Sequence, residues 1–180
     1  MEKRENVVSF AGKPMTLLGP EIKLGDEAPD FKVINTDLSS FSLSDTKGFV
    51  RVISVAPSLD TSVCDIQTRW FNDWACKVEG IIVLAISVDL PFALKRYCGA
   101  KDVNNIKALS DHKDLDFGLK YGFVIEELRL LSRGVIVIDQ NDIVRHVEYV
   151  PNIGSIINVG VSTQEHVYLN IFLHKKMSIK

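Results

Sequence analysis

Three cysteines carry most of the chemistry this sequence can offer, and Cys64 has the most telling position. It follows the loop Pro57-Ser58-Leu59-Asp60-Thr61, which lies between an apolar run and an amphipathic pattern beginning at Val63. That spacing sets the thiol in the first turn of a helix, where free backbone N–H groups and the positive end of the helix dipole favour an anion. The thiolate is the nucleophilic form of cysteine, so sulfur chemistry is the reaction such a turn would support. Thr61 precedes Cys64 closely enough for its hydroxyl to reach the sulfur or a bound oxygen, and Pro57 fixes the entry to the loop. By position alone Cys64 reads equally as a small buried residue at a helix start, because free cysteine is among the most buried residue types.

The other thiols differ. Cys98 sits near the end of a second helical pattern, just before Gly99, where a cysteine read by itself is a packed residue. Cys76 falls in the middle of the first helical pattern and receives no role. No Cys-x-x-Cys pair occurs, which argues against a structural zinc site and against a dithiol reductase. His112, His146, His166 and His174 show no ligand spacing either, so neither a metal nor another cofactor is expected.

The elements that must position these residues follow from periodicity. Val50–Val55, Ile81–Val88, Gly134–Asp139 and Ile143–Tyr149 read as strands. The second and third are nearly continuous apolar runs, as strands covered on both faces require. The last two flank the polar turn Gln140-Asn141-Asp142 and form a hairpin. A smaller N-terminal hairpin is expected from Val7–Phe10 and Met15–Leu18 around Gly12 and Pro14. One helix carries the stripe Val63, Ile66, Trp70, Phe71, Trp74 and Val78 and stops before Gly80. A second opens at Pro91, which suits a first helical turn, and runs to about Cys98, and a third covers Leu115–Lys120. Strand, helix, strand, helix and a closing hairpin describe an α/β protein with a thioredoxin-like fold, its central mixed sheet flanked by helices.

Composition agrees with a single domain over residues 1–180: 46% of residues are hydrophobic and 24% charged, without repeats or low-complexity linkers. A formal charge of −2 provides no attraction for nucleic acid or acidic membranes. The charged start and the lack of a long apolar run lead to the expectation of a soluble, cytoplasmic protein. Three cysteines are too few, and odd in number, for a disulfide framework.

Pro57, Thr61 and Cys64 reproduce a Pro-x-x-x-Thr-x-x-Cys arrangement that resembles the peroxidatic site of peroxiredoxins. Pro57-Ser58-Leu59-Asp60-Thr61, Ser87-Val88-Asp89-Leu90-Pro91-Phe92-Ala93, Tyr97-Cys98-Gly99-Ala100 and Leu109-Ser110-Asp111-His112 look like the bacterial thiol peroxidase subfamily, an atypical two-cysteine peroxiredoxin. The resemblance runs from about Val8 to Pro151. It implies that Cys64 is the peroxidatic nucleophile and that Cys98 resolves its sulfenic acid through an intramolecular disulfide. It also matches Arg133 to the active-site arginine of the family, where by itself Arg133 would read as a surface cation at a strand start. Implied partners are a hydroperoxide substrate, a thioredoxin-like reductant and a second copy in a homodimer.

Two departures stand out. Ser62 replaces the proline the family commonly has after its threonine, and is a candidate helix cap. Residues 152–180 diverge from the family, although Ser162-Thr163-Gln164-Glu165 could start a replacement helix with Val167, Tyr168, Ile171 and Phe172 on its apolar face. A chain impaired by that segment would be a binding or holdase protein on the same fold, and a chain that passes its oxidation to another protein would be a redox sensor.

Overall fold

The computed structural model describes residues 1–155 and 157, so the helix expected after Ser162 lies outside the described residues. β1 (Lys3–Phe10) and β2 (Lys13–Leu18) form the expected antiparallel hairpin. Ala11 and Gly12, its two turn residues, both have positive φ, which is the backbone twist a tight hairpin demands. This hairpin belongs to a four-stranded sheet completed by β8 (Val124–Ile125) and β9 (Leu130–Leu131), in the order β1-β2-β8-β9.

The central sheet has seven strands. β5 (Val50–Val55), β6 (Ile81–Ser87) and β7 (Lys107–Ser110) run parallel to one another. β10 (Gly134–Ile138) and β11 (Val144–Tyr149) close one side antiparallel, and β3 (Lys32–Asn35) and β4 (Ser40–Ser42) close the other, giving β11-β10-β5-β6-β7-β3-β4. The four long apolar strands match the sequence reading closely. The short strands β3, β4, β7, β8 and β9 were not visible in it, because two to four residues are too few to carry a periodic signal.

Both faces of the sheet are covered, which explains the continuous apolar runs. Val50, Val52, Val83, Ala85, Val135 and Val137 pack against α1 (Ser62–Ala75) and α2 (Pro91–Lys101). Ile53, Val55, Leu84, Ile86, Ile136 and Ile138 face the aromatic group of Phe31, Phe117, Tyr121 and Phe123, with Phe117 on α3 (Asp116–Lys120). Arg51 breaks the apolar pattern of β5 yet is fully buried, and its guanidinium is held by the Phe49 carbonyl at 2.6 Å and by an ion pair with Asp142. Among the described residues, no helix is long and apolar enough to cross a membrane.

The helices differ from expectation in three ways. α1 ends at Ala75, so Cys76 is not mid-helix but an exposed C-cap, its thiol 3.1 Å from the Asp73 carbonyl oxygen. The buried face of α1 is also rotated from the apolar stripe: Ile66 is 55% exposed, whereas Cys64, Gln67, Thr68, Phe71 and Asn72 point inward. Polar residues occupy that face because Gln67 and Asn72 find hydrogen-bond partners there. α2 continues past Gly99 to Lys101, and Asp102 takes the left-handed C-cap conformation in place of the glycine. An exposed glycine inside a helix weakens it without ending it.

Candidate active site

β5 hands the chain to the site. Its last residue, Val55, is followed by Ala56, whose N–H donates to the Ile86 carbonyl at 3.1 Å and carries the parallel pairing one residue further. Pro57 then starts the loop, half-buried, and Leu59 anchors it in the core. A carboxylate oxygen of Asp89 accepts the Leu59 N–H at 2.8 Å and the Ser87 hydroxyl at 2.8 Å, so the loop is tied to the end of β6. The resemblance quoted the segment containing Asp89, but nothing in the sequence assigned it this clamp.

Thr61 is the N-cap of α1, in an extended conformation, and Ser62 is the first helical residue and not the cap. The Thr61 side chain makes no cap hydrogen bond; its hydroxyl lies 2.8 Å from Cys64 Sγ and donates to it. Cys64 therefore sits in the first turn as expected, with its side chain fully buried.

Arg133 is brought to the same sulfur from a distant part of the chain. Gly134 pairs with Val55 in the antiparallel β10–β5 register, so the residue before Gly134 lies beside the residue after Val55, where the loop begins. A Cβ at Gly134 would overlap the Glu148 carbonyl oxygen and the Phe123 ring, so only glycine lets β10 start at this point. Arg133 is 2% exposed, contrary to a surface cation at a strand start. Its Nη2 donates to Cys64 Sγ at 3.0 Å, Nη1 to Gln67 Oε1 at 2.7 Å, and Nε to the Ile153 carbonyl at 2.8 Å. Three acceptors at the edges of a planar guanidinium fix its orientation.

Two of those acceptors were not anticipated. Gln67 is buried, and its Nε2 donates to Ser54 Oγ on β5 at 2.7 Å, so β5 positions the guanidinium through one side chain. The available signal was a polar residue one turn after Cys64 on the face of α1 that carries the thiol. Ile153 belongs to the divergent segment, yet its N–H donates to the Ser9 carbonyl, the Pro151 carbonyl accepts the Ser9 N–H, and Ile153 and Ile157 are both buried. Divergence in sequence after Pro151 is therefore not a structural boundary among the described residues.

Cys98 lies on α2, half-buried against the same core group as Cys64 and Tyr97, and burial pushes its thiol up from the usual cysteine range. All three thiols are free. Among the described residues, no group of three or more His, Cys, Asp or Glu side chains is placed to hold a metal ion. Chemically, a hydroxyl and a permanent cation that both donate to one buried sulfur are placed to stabilise negative charge that develops on an oxygen bound beside it.

Comparison with known proteins gives the chain its family. Residues 23–166 match the model of the Redoxin family. A thiol peroxidase of Halalkalibacterium halodurans is 58% identical over 143 residues, covering 79% of this chain and 86% of the relative. A thiol peroxidase of Bacillus subtilis is 52% identical over 143 residues, covering 79% and 86%. Among solved structures, a peroxiredoxin-like protein from Aquifex aeolicus superposes with a TM-score of 0.82 at 37% identity, over 97% of this chain and 98% of that one. Thiol peroxidase from Chromobacterium violaceum, at 19% identity, shares the fold with a TM-score of 0.83, over 96% and 98% of the two chains. The thioredoxin-like architecture expected from the element order is thus the one observed.

Proposed function

Because the chain belongs to the Redoxin family and is a thiol-dependent peroxidase of the peroxiredoxin type, we propose that Cys64 is its peroxidatic nucleophile and Cys98 its resolving thiol. The observation that carries this reading is the pair of donors on one sulfur, Thr61 Oγ1 at 2.8 Å and Arg133 Nη2 at 3.0 Å.

A sulfur electron pair of the Cys64 thiolate attacks the terminal oxygen of a hydroperoxide. The S–O bond forms as the O–O bond breaks, and the departing oxygen takes a proton to leave as water or an alcohol. Thr61 and Arg133 serve twice: they hold the thiolate before attack, and they lie where charge develops on the peroxide oxygens during it. Pro57 and the Asp89 clamp keep the loop from moving the hydroxyl away. The product is a sulfenic acid on Cys64, and the substrate class is the hydroperoxide.

The Cys98 thiolate then attacks that sulfur, an S–S bond forms, and hydroxide leaves as water after protonation. A disulfide needs Cα atoms within about 7 Å, so thiols on two packed helices reach each other through local unwinding at both positions. A thioredoxin-type dithiol reduces the bridge and restores the starting state.

The same reading makes the protein one domain, cytoplasmic, where a reducing pool supplies the dithiol. It makes it a homodimer through an apolar surface beside the loop, for which Leu90 and Phe92, 55% and 67% exposed, supply area. Peroxide consumption with thioredoxin, thioredoxin reductase and NADPH tests the mechanism. Turnover that disappears in Cys64→Ser supports it. An inert wild type points to a binding protein, and a mixed disulfide with another protein that persists in Cys98→Ser points to a redox sensor.

A further inference from the structure

We propose that the hydrogen bond between Tyr97 and Asp65 is a latch that holds the two cysteine-bearing helices in their packed form and sets how fast Cys98 resolves the Cys64 sulfenic acid. The proposal rests on the peroxidase reading above and assigns Tyr97 and Asp65 as positioning residues for its second step.

Tyr97 Oη donates to Asp65 Oδ1 at 2.9 Å, joining α2 to α1. Each partner is the immediate neighbour of a thiol: Asp65 follows Cys64 and Tyr97 precedes Cys98. Neither sulfur can travel toward the other without carrying one end of this bond with it. Tyr97 is 6% exposed, and burial, with the adjacent Asp65 carboxylate, drives its phenol well above the usual tyrosine range, so it remains a donor. Lys101 and Arg69 approach the same carboxylate at 3.7 and 3.9 Å, and a carboxylate acceptor makes the bond from Tyr97 charge-assisted.

The far ends of the helices are joined differently. Asn72 Oδ1 accepts the N–H groups of Asn104 and Asn105 at 3.0 and 2.9 Å, and the Asn72 carbonyl accepts from Asn105 Nδ2 at 3.2 Å. Those contacts lie two turns from Cys64 along α1 and beyond the C-cap of α2. They let the thiol-bearing turns unwind while the helices stay attached. The latch is therefore the hydrogen bond between α1 and α2 that unwinding must break, beside the longer approach of Lys101 to the same carboxylate, and the Asn72 staple is a contact it can keep.

Two reactions compete for the sulfenic acid. Attack by Cys98 gives the disulfide and water, whereas attack on a second hydroperoxide gives a sulfinic acid on Cys64 and an alcohol or water. A closed latch lengthens the life of the sulfenic acid and favours the second reaction when peroxide is abundant.

Single turnover with one equivalent of hydrogen peroxide, quenched with a thiol-trapping reagent and read by mass spectrometry, separates loss of the Cys64 thiol from appearance of the disulfide. Tyr97→Phe is expected to speed disulfide formation by about threefold to tenfold, as loss of one charge-assisted hydrogen bond allows. Loss of the Cys64 thiol should stay within about twofold of wild type, and the sulfinic fraction at high peroxide should fall. Asp65→Asn should act in the same direction, and the double variant should be no faster than the faster single one, because both remove the same contact. Asn72→Ala, which loosens the helices elsewhere, should leave the resolving rate unchanged. A Tyr97→Phe chain that resolves at the wild-type rate or slower overturns the latch, as does an Asn72→Ala chain that is equally accelerated. If wild type forms no Cys64–Cys98 disulfide, the resolving role itself fails and the latch with it, whereas bridges that form at equal rates in all variants remove the latch alone.

Discussion

Arg133 Nη2 stands 3.0 Å from Cys64 Sγ although 69 positions separate the two residues, and both side chains are buried. A permanent cation and a sulfur meet there in direct contact away from the surface, so their attraction is less screened than at a surface. Replacing Arg133 by methionine removes the donor and leaves Gln67 Oε1 and the Ile153 carbonyl without it. Peroxide consumption should fall by about 10²- to 10³-fold, the scale of losing one donor to developing charge. Arg133→Lys should recover only part of this, because one ammonium cannot bridge three acceptors in a plane. Activity in Arg133→Met within about fivefold of wild type would contradict the assignment, and steady-state kinetics decides it.

Thr61 separates chemistry from capping. Removing a capping hydroxyl ordinarily costs about 0.5–2 kcal/mol, but this side chain donates to sulfur and not to the helix backbone. Thr61→Val should therefore lower the peroxide rate by about tenfold or more while thermal stability changes by less than about 0.5 kcal/mol, and Thr61→Ser should retain most activity. A large fall in melting temperature with kinetics intact would reverse the interpretation.

Gly134 links fold to site through one register. Adding a methyl group there presses on the Glu148 carbonyl and the Phe123 ring. Gly134→Ala should cost about 1–3 kcal/mol or more by overpacking and should shift Arg133 from the sulfur, so denaturant midpoint and peroxidase rate fall together. A variant that loses stability yet keeps full activity would show that Arg133 is positioned independently of β10.

Asp111 gives stability a pH dependence. Burial pushes its carboxyl up to about 7, although the N–H groups of Gly118 and Phe117 oppose this by favouring the anion. The folded chain thus keeps a proton that the unfolded chain has released, and the slope of unfolding free energy with pH is negative in that interval. The contribution is complete below the ordinary aspartate range and is lost as pH rises through about 7. Chemical denaturation should show stability falling by roughly 2–3 kcal/mol between about pH 5 and about pH 8. Asp111→Asn should flatten this fall and start lower at pH 5, since an amide cannot accept both N–H groups. A profile equally steep in the variant would assign the effect elsewhere.

Cys98 should leave its own mark on the resolving step. Burial holds its thiol above the usual range, and the thiolate is the attacking form. In single-turnover experiments, disulfide formation should therefore speed up as pH rises above neutrality. A rate that falls over that interval would argue that Cys98 is not the attacker.

Much of the fold was legible because it is written in local patterns. The strands β5, β6, β10 and β11 are apolar runs bounded by turns, and the hairpin of β1 and β2 turns on Gly12. Ile66 misled the placement of α1, since a branched apolar residue at helical spacing looks inward until the polar partners of Gln67 and Asn72 are known. Cys76 misled in a smaller way, because where the last turn of a helix unwinds depends on packing more than on composition.

By itself the sequence determined the local half of the site. Pro57, Thr61 and Cys64 lie within one loop and one helical turn, so backbone geometry alone sets the hydroxyl beside the sulfur and the sulfur in the first turn of α1. Tertiary structure decided the other half. The β10–β5 register delivers Arg133, Gln67 and the Ile153 carbonyl fix its plane, Asp89 clamps the loop, and Tyr97 meets Asp65 between the helices. The division has a physical reason: contacts within one turn follow from dihedral preferences, whereas contacts across the chain exist only once the hydrophobic faces of sheet and helices have chosen their alignment.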